Sequence, residues 1–145
     1  VAIDDVEGLR ERHDHASAVD CLRCVGERLA RLFPDAILVA RIGGAEFALL
    51  LRGGTAKAME ATLANAHRLL ARPVPRGSGA IELQLSIGAA LLKPSHSNDP
   101  KRLFAEADSA LYVAWAAGGN VVRVFDGMIA RPPATAPIQA AGLSL

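Results

Sequence analysis

The chain has 145 residues, which suits one domain with a single hydrophobic core. Its 51% of hydrophobic residues exclude an intrinsically disordered chain, and its formal net charge of +1 excludes the basic surface field that binds nucleic acid. No apolar run approaches the roughly 20 residues of a membrane-spanning helix, so we expect no membrane contact by this segment. Without an initiator Met or a signal-peptide pattern, we expect a piece of a longer cytoplasmic protein, or the cytoplasmic part of a membrane-anchored one.

The first part of the chain predicts a strand, a helix and a hairpin. Val1-Ala2-Ile3 is typical of the end of a strand, which we expect to be cut short at residue 1. An amphipathic helix is predicted over residues 17–33, and apolar runs at residues 37–41 and 47–51 predict two strands. Gly43-Gly44 lies between these runs, and we expect the two glycines to supply the positive φ of a tight turn. The apolar stripe of the helix consists of Leu22, Val25, Leu29 and Leu32.

The middle of the chain predicts a second helix, a loop and a strand. Residues 55–71 have helical periodicity, and residues 72–79 predict a loop. Apolar and polar residues alternate over residues 81–87, which predicts one strand with a single buried face and with Ser86 on the opposite face. His67 is predicted to lie at the surface without a role. The buried stripe of the second helix consists of Met59, Leu63, Ala66 and Leu70.

The last part of the chain predicts a third helix and a final strand. Asp99-Pro100 is typical of an N-cap followed by Pro at the first helical position. Gly118-Gly119 ends the helix, and residues 121–125 predict a strand. We therefore predict a domain over residues 1–126, followed by a Pro- and Ala-rich linker or tail over residues 127–145. The stripe of the third helix consists of Leu103, Ala107, Ala110, Leu111 and Ala114.

The predicted order of elements is strand, helix, strand, strand, helix, strand, helix, strand. One hairpin and two helical crossovers favour an α/β (α+β) class with a central mixed sheet and helices packed against it. The first six elements have the βαββαβ order of a ferredoxin-like fold, which a further helix and strand extend. A fold of this kind does not by itself indicate a function.

Two cysteines lie close together in the first predicted helix. Cys21 and Cys24 follow His13 and His15, so a zinc site is one interpretation. The spacing of these four residues matches no common zinc frame, and small apolar side chains suit the buried stripe of a helix. We therefore interpret the cysteines as packing residues, and two free thiols fit a reducing cytosol.

Three segments carry a family resemblance. Arg41-Ile42-Gly43-Gly44-Ala45-Glu46-Phe47 resembles the signature hairpin of GGDEF domains, with Ala45 in place of the central acid. Leu85-Ser86-Ile87-Gly88-Ala89-Ala90 is similar to the family's V-S-I-G-x-A strand. Ala107-Asp108-Ser109-Ala110-Leu111-Tyr112 is similar to the AD-x-ALY stretch before the family's last strand. Order and spacing agree over roughly residues 1–126, so the chain is identified as a degenerate, GGAEF member of the diguanylate cyclase-like family, which implies a nucleotide-cyclase-like sheet.

The resemblance implies a damaged metal site. Active members of the family join two GTP molecules into cyclic di-GMP, with two domains face to face and acidic side chains holding divalent metal. In the family's D-x-D pattern, Ala2 stands at the metal-binding acid and Asp4 at the second acid. In the hairpin Ala45 replaces a further acid, whereas Glu46 remains. Asp4 and Glu46 are therefore the metal ligands that the resemblance leaves, and Mg²⁺ is expected to bind weakly, together with GTP.

The resemblance also implies that guanine and phosphate recognition are altered. The family's guanine-reading Asn and Asp fall on Arg10 and Val19, which offer no acceptor to the base. A shift of the alignment by one residue would instead place Asp20 at the second position. Family Lys and Arg residues that touch phosphates are replaced by Trp115 and Gly119.

Part of the nucleotide site remains in the signature hairpin. Gly43, Gly44 and Glu46 are the predicted nucleotide-binding residues, because glycines let a backbone turn approach phosphate closely. The family's Arg-x-x-Asp product site falls on Pro34 and Ile37. We therefore expect this product site to be absent.

Each of these residues also has a simpler interpretation. Gly43-Gly44 could form only a hairpin turn, and Glu46 could be a solvated strand residue. Asp4 and Asp5 could cap the end of the first strand. Trp115 could be a packing residue or an anchor of an interface.

The sequence supports one leading hypothesis and two alternatives. The leading hypothesis is a non-catalytic module that regulates a neighbouring EAL-type domain, binds GTP without converting it, or dimerises. The first alternative is a working diguanylate cyclase with unusual ligands. The second is a purely structural dimerisation unit.

Overall fold

The computed structural model describes residues 1–93 and 99–127. Within these residues the chain contains the predicted helices and strands together with additional short elements. None of the described helices is both long enough and apolar enough to cross a bilayer. In chain order the elements are β1 (Ala2–Ile3), α1 (Val6–Arg12), α2 (His15–Leu32), β2 (Leu38–Arg41), β3 (Phe47–Leu50), α3 (Ala56–Leu70), β4 (Val74–Arg76), β5 (Gly79–Ile81), β6 (Leu85–Ala89), α4 (Pro100–Ala116) and β7 (Val122–Val124).

Five strands lie side by side in the order β2-β3-β1-β6-β7. The antiparallel β2–β3 hairpin joins the three-stranded β1-β6-β7 sheet through a bridge between Ala2 and Glu46. Beside this bridge, the Ile3 amide donates to the Ala45 carbonyl at 3.0 Å. Strand β1 is antiparallel to β6, and β6 is parallel to β7. The four strands β6-β1-β3-β2 therefore form the ferredoxin-like core, and β7 extends it, which confirms the predicted mixed sheet.

Helices cover both faces of the sheet. The main core lies against α2 and α3, where Leu29, Leu70 and Leu85 are completely buried. Successive strand residues point to opposite faces, so Ser86 and Gly88 of β6 face away from this core. Helix α4 packs against β6 and β7 on that second face. The main core cluster consists of Ile3, Leu9, Ala18, Cys21, Leu22, Val25, Leu29, Phe47, Leu63, Ala66, Leu70, Val74, Ile81, Leu83, Leu85 and Ile87.

Each helix begins at a capping side chain. Asp5, Asp14, Thr55 and Asp99 accept hydrogen bonds from backbone amides in the first turn of the helix that follows. These bonds satisfy donors that have no partner within a helix. The N-cap and first-turn Pro predicted at Asp99-Pro100 are confirmed.

The structure corrects three predicted elements. Residues 6–12 form a separate helix, α1, which is too short to show a long apolar period and buries only Leu9. The predicted loop over residues 72–79 contains β4 and most of a small hairpin, with Gly77 at φ +55° in its turn. The single strand predicted over residues 81–87 is wrong, because β5 ends at Ile81 and β6 begins at Leu85.

Three residue-level predictions also change. Ser86 is buried, because α4 covers the sheet face that was predicted to be exposed. Neither Gly43 nor Gly44 has a positive φ, since residues 42–46 form a wider turn than the predicted tight one. His67 is half-buried, and its Nε2 lies 2.9 Å from the Leu85 carbonyl oxygen.

The predicted tail lies almost wholly outside the described residues. Of residues 127–145, the structure describes Gly127 alone. The domain boundary at residue 126 therefore stays a prediction.

Candidate functional site

The candidate site lies where β1 ends, beside the end of α4. Asp4 follows β1 directly, and its amide donates to the Gln84 carbonyl at 3.0 Å. Its Oδ1 accepts a hydrogen bond from the Trp115 indole Nε1 at 2.9 Å. Its Oδ2 accepts a hydrogen bond from the Asn120 amide at 2.6 Å. Both carboxylate oxygens of this predicted metal ligand therefore have a donor within the chain.

The loop after α4 is shaped to approach Asp4. Gly118, Gly119 and Asn120 have φ values of +102°, +74° and +52°, all in the left-handed region. The Gly119 amide donates to the Ala114 carbonyl at 3.0 Å, which ends α4 as the sequence predicts. A Cβ atom at Gly119 would lie 2.8 Å from Asp4 Oδ2. A side chain at residue 119 would therefore push the Asp4 carboxylate aside, and the positive φ also favours glycine there.

A shallow depression lies over this loop. Its volume is about 360 Å³, and Trp115, 39% exposed, forms part of its wall. The depression is open to solvent and is lined by Ile3, Asp4, Trp115, Gly118 and Gly119.

Of the two alanines of the predicted metal site, Ala2 is in β1 and Ala45 lies in the turn that precedes β3. Ala2 is opposite Glu46 on one side and opposite Ser86 on the other, and it is only 1% exposed. Ala45 is half-buried against the main core. Among the described residues, no group of three or more His, Cys, Asp or Glu side chains could hold a metal ion.

The signature turn is open on its outer side. The Arg41 guanidinium donates to the carbonyls of Gly43 and Gly44, so the turn is held from its own strand. A Cβ atom at Gly44 would meet nothing within 4 Å, and one at Gly43 would make only ordinary contact with Glu46. Within residues 1–93 and 99–127, the amides of these two glycines make no hydrogen bond. The turn thus leaves two N–H donors for solvent, and the fold itself does not require glycine there.

The residues at the predicted guanine-reading positions lie on α1 and α2. Arg10 pairs with Glu7 across one turn of α1 at 3.0 Å. Val19 is on α2 and is 47% exposed. Asp20, the residue that a shifted alignment would select, forms a salt bridge with Arg76 of β4. Among the described residues, no hydrogen bond or salt bridge joins these side chains to the signature turn.

Charged groups near α1 and α2 have shifted pKa values. The pKa of Asp5 is lowered, mainly by a hydrogen bond from Arg12 and also by one from the Gly8 amide. The pKa of Asp14 is lowered by the Ser17 amide, which donates to the carboxylate at the start of α2. Burial in the core raises the pKa of the Cys21 thiol, which agrees with a packing role for that residue.

Sequence reasoning missed the role of Asn120. It follows the Gly118-Gly119 pair that ends α4, and the sequence analysis gives it no function. Asparagine after two glycines favours left-handed backbone, so a loop with inward-pointing amides could have been predicted. The pairing of Trp115 with Asp4 had no such local signal.

Residues 1–121 match the family described as diguanylate cyclase, GGDEF domain. The chain belongs to this family. The match covers every element that frames Asp4 and the signature turn, which confirms the resemblance carried by the three motifs.

Relatives of this GGDEF domain include a cyclase and a phosphodiesterase. Diguanylate cyclase TpbB of Pseudomonas aeruginosa is 32% identical over 113 residues, which are 77% of this chain and 26% of that protein. Cyclic di-GMP phosphodiesterase PdeR of Escherichia coli is 29% identical over 125 residues, which are 85% of this chain and 18% of that protein. The chain thus spans about a quarter or less of the length of these two relatives.

Solved structures show the same fold. An EAL/GGDEF domain protein from M. capsulatus aligns with a TM-score of 0.73 and 30% identity, covering 86% of this chain and 80% of that one. The GGDEF domain of DgcB from Caulobacter crescentus was solved in complex with c-di-GMP. It aligns with a TM-score of 0.73 and 28% identity, covering 85% of this chain and 73% of that one. This GGDEF domain therefore has the predicted nucleotide-cyclase-like architecture.

Proposed function

We propose that this chain is a catalytically degenerate GGDEF domain that serves as a regulatory module in cyclic di-GMP signalling. It binds GTP weakly, without converting it, or pairs with a second domain. The observation that carries the proposal is the state of the acidic positions. Ala2 and Ala45 carry no carboxylate, and Asp4 already accepts two hydrogen bonds.

The remaining acids suit metal chemistry poorly. Mg²⁺ requires near-octahedral oxygen ligands and gives up its water reluctantly, so it depends on well-placed carboxylates. Among the described residues, the Glu46 carboxylate accepts no hydrogen bond, in contrast to that of Asp4. A divalent ion would therefore be held mainly by the phosphates of a bound nucleotide. This arrangement gives little stabilisation to the charge that develops when one GTP attacks another.

The open turn supports the nucleotide-binding part of the proposal. The free amides of Gly43 and Gly44 form a surface that phosphate oxygens can accept from. The Arg41 guanidinium donates to the carbonyl oxygens of Gly43 and Gly44, so these negative dipole ends are directed at a cation and do not repel an approaching anion.

A neighbouring EAL-type domain or a second copy of this domain is the proposed partner. The similar M. capsulatus protein is an EAL/GGDEF protein, and PdeR is a cyclic di-GMP phosphodiesterase. These relatives support a regulatory partnership more directly than an isolated structural role.

Product formation tests the proposal. The domain is incubated at high concentration with GTP and Mg²⁺ or Mn²⁺, because two domains must meet for turnover. We expect no cyclic di-GMP above the level of a Glu46→Ala variant. Sustained synthesis above that control would establish the second candidate, an active diguanylate cyclase, which the identity to TpbB favours. A purely structural dimerisation unit would bind no GTP at millimolar concentration.

A further inference from the structure

We infer that Trp115 and Gly119 act as a pair that fixes Asp4 as a structural acceptor, so that its carboxylate is closed to divalent metal. We call the contact of Asp4 with Trp115 and Asn120 the Asp4 clasp. The inference rests on the proposed function in one respect: it takes the site around Asp4 to be the family's metal site. Its evidence is the geometry around one carboxylate.

The clasp uses both oxygens of Asp4. The indole N–H of Trp115 points at Oδ1, and the amide of Asn120 points at Oδ2. An indole N–H can only donate, so it presents a positively polarised hydrogen to any cation that approaches Asp4 from the same side. Each donor also occupies one of the two lone pairs of its oxygen. Hydrogen bonds to a charged acceptor are the strong ones, so a metal ion that needs one of these lone pairs binds Asp4 less tightly.

Glycine at residue 119 leaves room for the clasp. A side chain there would begin 2.8 Å from Asp4 Oδ2, inside contact distance, and its backbone φ of +74° disfavours other residues. A larger residue would push the carboxylate away from the Asn120 amide. Trp115 and Gly119 are therefore two parts of one arrangement: the first supplies a donor, and the second leaves room for the acceptor.

The clasp joins distant parts of the chain. Asp4 and Trp115 are 111 residues apart, so the bond ties the end of β1 to the last turn of α4. Breaking it should loosen the loop at Gly118-Gly119 and weaken the attachment of α4 to the sheet. A stability measurement can therefore detect the clasp without any nucleotide.

The first experiment is a double-mutant cycle on the whole chain. Trp115→Phe removes the N–H and keeps an aromatic ring, and Asp4→Ala removes the acceptor. We expect Trp115→Phe to raise the unfolding equilibrium constant about tenfold, the size expected for a hydrogen bond to a charged group. In the Asp4→Ala background the same change should have little further effect. Tyr112→Phe on the same helix is the matched control and should change little in either background. Additive effects at Trp115 and Asp4 would overturn the inference.

The second experiment uses fluorescence, because Trp115 is the single tryptophan of the chain. We expect the emission maximum of the folded protein to shift in the Asp4→Ala variant and not in the Tyr112→Phe variant. Identical spectra for wild type and Asp4→Ala would contradict the clasp. This readout remains useful if a variant is too unstable for the unfolding cycle.

The third experiment is a titration with Mn²⁺ alone. We expect wild type and Asp4→Ala to bind Mn²⁺ equally weakly, because Asp4 is not available as a ligand. Tight binding to wild type that Asp4→Ala abolishes would overturn the inference. Cyclic di-GMP synthesis would refute the proposed function but would not change the result of the double-mutant cycle. The two experiments therefore distinguish failure of the proposed function from failure of the inference about Asp4.

Discussion

A Cβ atom added to Gly88 would lie 2.2 Å from the backbone nitrogen of Leu111. It would also lie 2.4 Å from the Ala107 carbonyl oxygen, so α4 rests directly on the backbone of β6. Neither of these backbone atoms can move away without moving the helix. The glycine of the V-S-I-G-x-A-like strand therefore sets how closely α4 packs, and with it where Trp115 can reach Asp4.

Gly88→Ala should destabilise the domain strongly. The added methyl group collides with backbone on two sides, and overpacking of this kind typically costs 1–3 kcal/mol or more, so we expect a loss of about 2–3 kcal/mol. Urea unfolding followed by circular dichroism measures it. Gly53→Ala is the matched control, because a Cβ atom there meets nothing within 4 Å. Equal stability of the two variants would contradict this packing argument.

Arg28→Met should weaken the junction between α2 and α3. The Arg28 guanidinium donates to the carbonyls of Leu70, Arg72 and Pro73, where α3 ends and β4 begins. Methionine keeps the apolar stem but leaves these acceptors without their donor, so we expect a loss of about 1–3 kcal/mol in the free energy of unfolding.

Arg31→Met is the control for this change. Arg31 is exposed and pairs with Glu27 at 3.5 Å, and an exposed pair of this kind contributes at most about 1 kcal/mol. An equal loss from Arg31→Met and Arg28→Met would show that the three carbonyl contacts do not stabilise the junction.

Asp14 should make stability depend on acid pH. Its pKa is lowered in the folded protein by the Ser17 amide, from about 3.9 in an unfolded chain. Its contribution is therefore fully present above the unfolded pKa and is lost as the pH falls through the folded pKa. We expect Asp14→Asn, which keeps the cap acceptor, to flatten the fall in unfolding free energy below about pH 4. Asp35→Asn, a change at an exposed residue, is the control and should give the same dependence of unfolding free energy on pH as the wild type.

Cyclic di-GMP should not bind this domain tightly. We predict that Pro34 and Ile37 stand at the positions of the family's Arg-x-x-Asp product site, and Ile37 is 56% exposed. Neither side chain supplies a bidentate cation or an acceptor for the ligand. We expect calorimetry to show no sub-micromolar binding to the isolated domain. Restoring the pair as Pro34→Arg with Ile37→Asp should strengthen binding, and tight binding by the unmodified domain would count against us.

GTP and ATP should bind with similar, low affinity. The open turn can contact phosphates, which both nucleotides share. Arg10 and Val19 offer no acceptor to the base, so a bound adenine leaves no buried acceptor unpaired and is not rejected in favour of guanine. Titrating the domain with each nucleotide in the presence of Mg²⁺ measures the ratio of the two dissociation constants. A Val19→Asp variant should raise the preference for GTP if this position faces the base. Strong selectivity for GTP in the unmodified domain would show that other residues read guanine.

Much of the architecture could be predicted from local patterns. The hairpin, the helices α2, α3 and α4, the cap at Asp99 and the mixed sheet follow from periodicity and capping, because those signals involve residues a few positions apart. The family motifs also predicted which site positions carry unusual residues. Short elements such as α1 and β4 were missed, since a few residues cannot show a period, and their stability comes from packing.

The sequence by itself determined the family and the βαββαβ core, and it predicted that metal-binding carboxylates are lost at Ala2 and Ala45. Only the tertiary structure decided how the surviving groups are used. It placed α4 over Ser86, and it brought the Trp115 indole to the carboxylate of Asp4, which precedes it by 111 residues. A contact over such a distance depends on strand order and on the close approach of a helix to a sheet, and no local propensity encodes either of them.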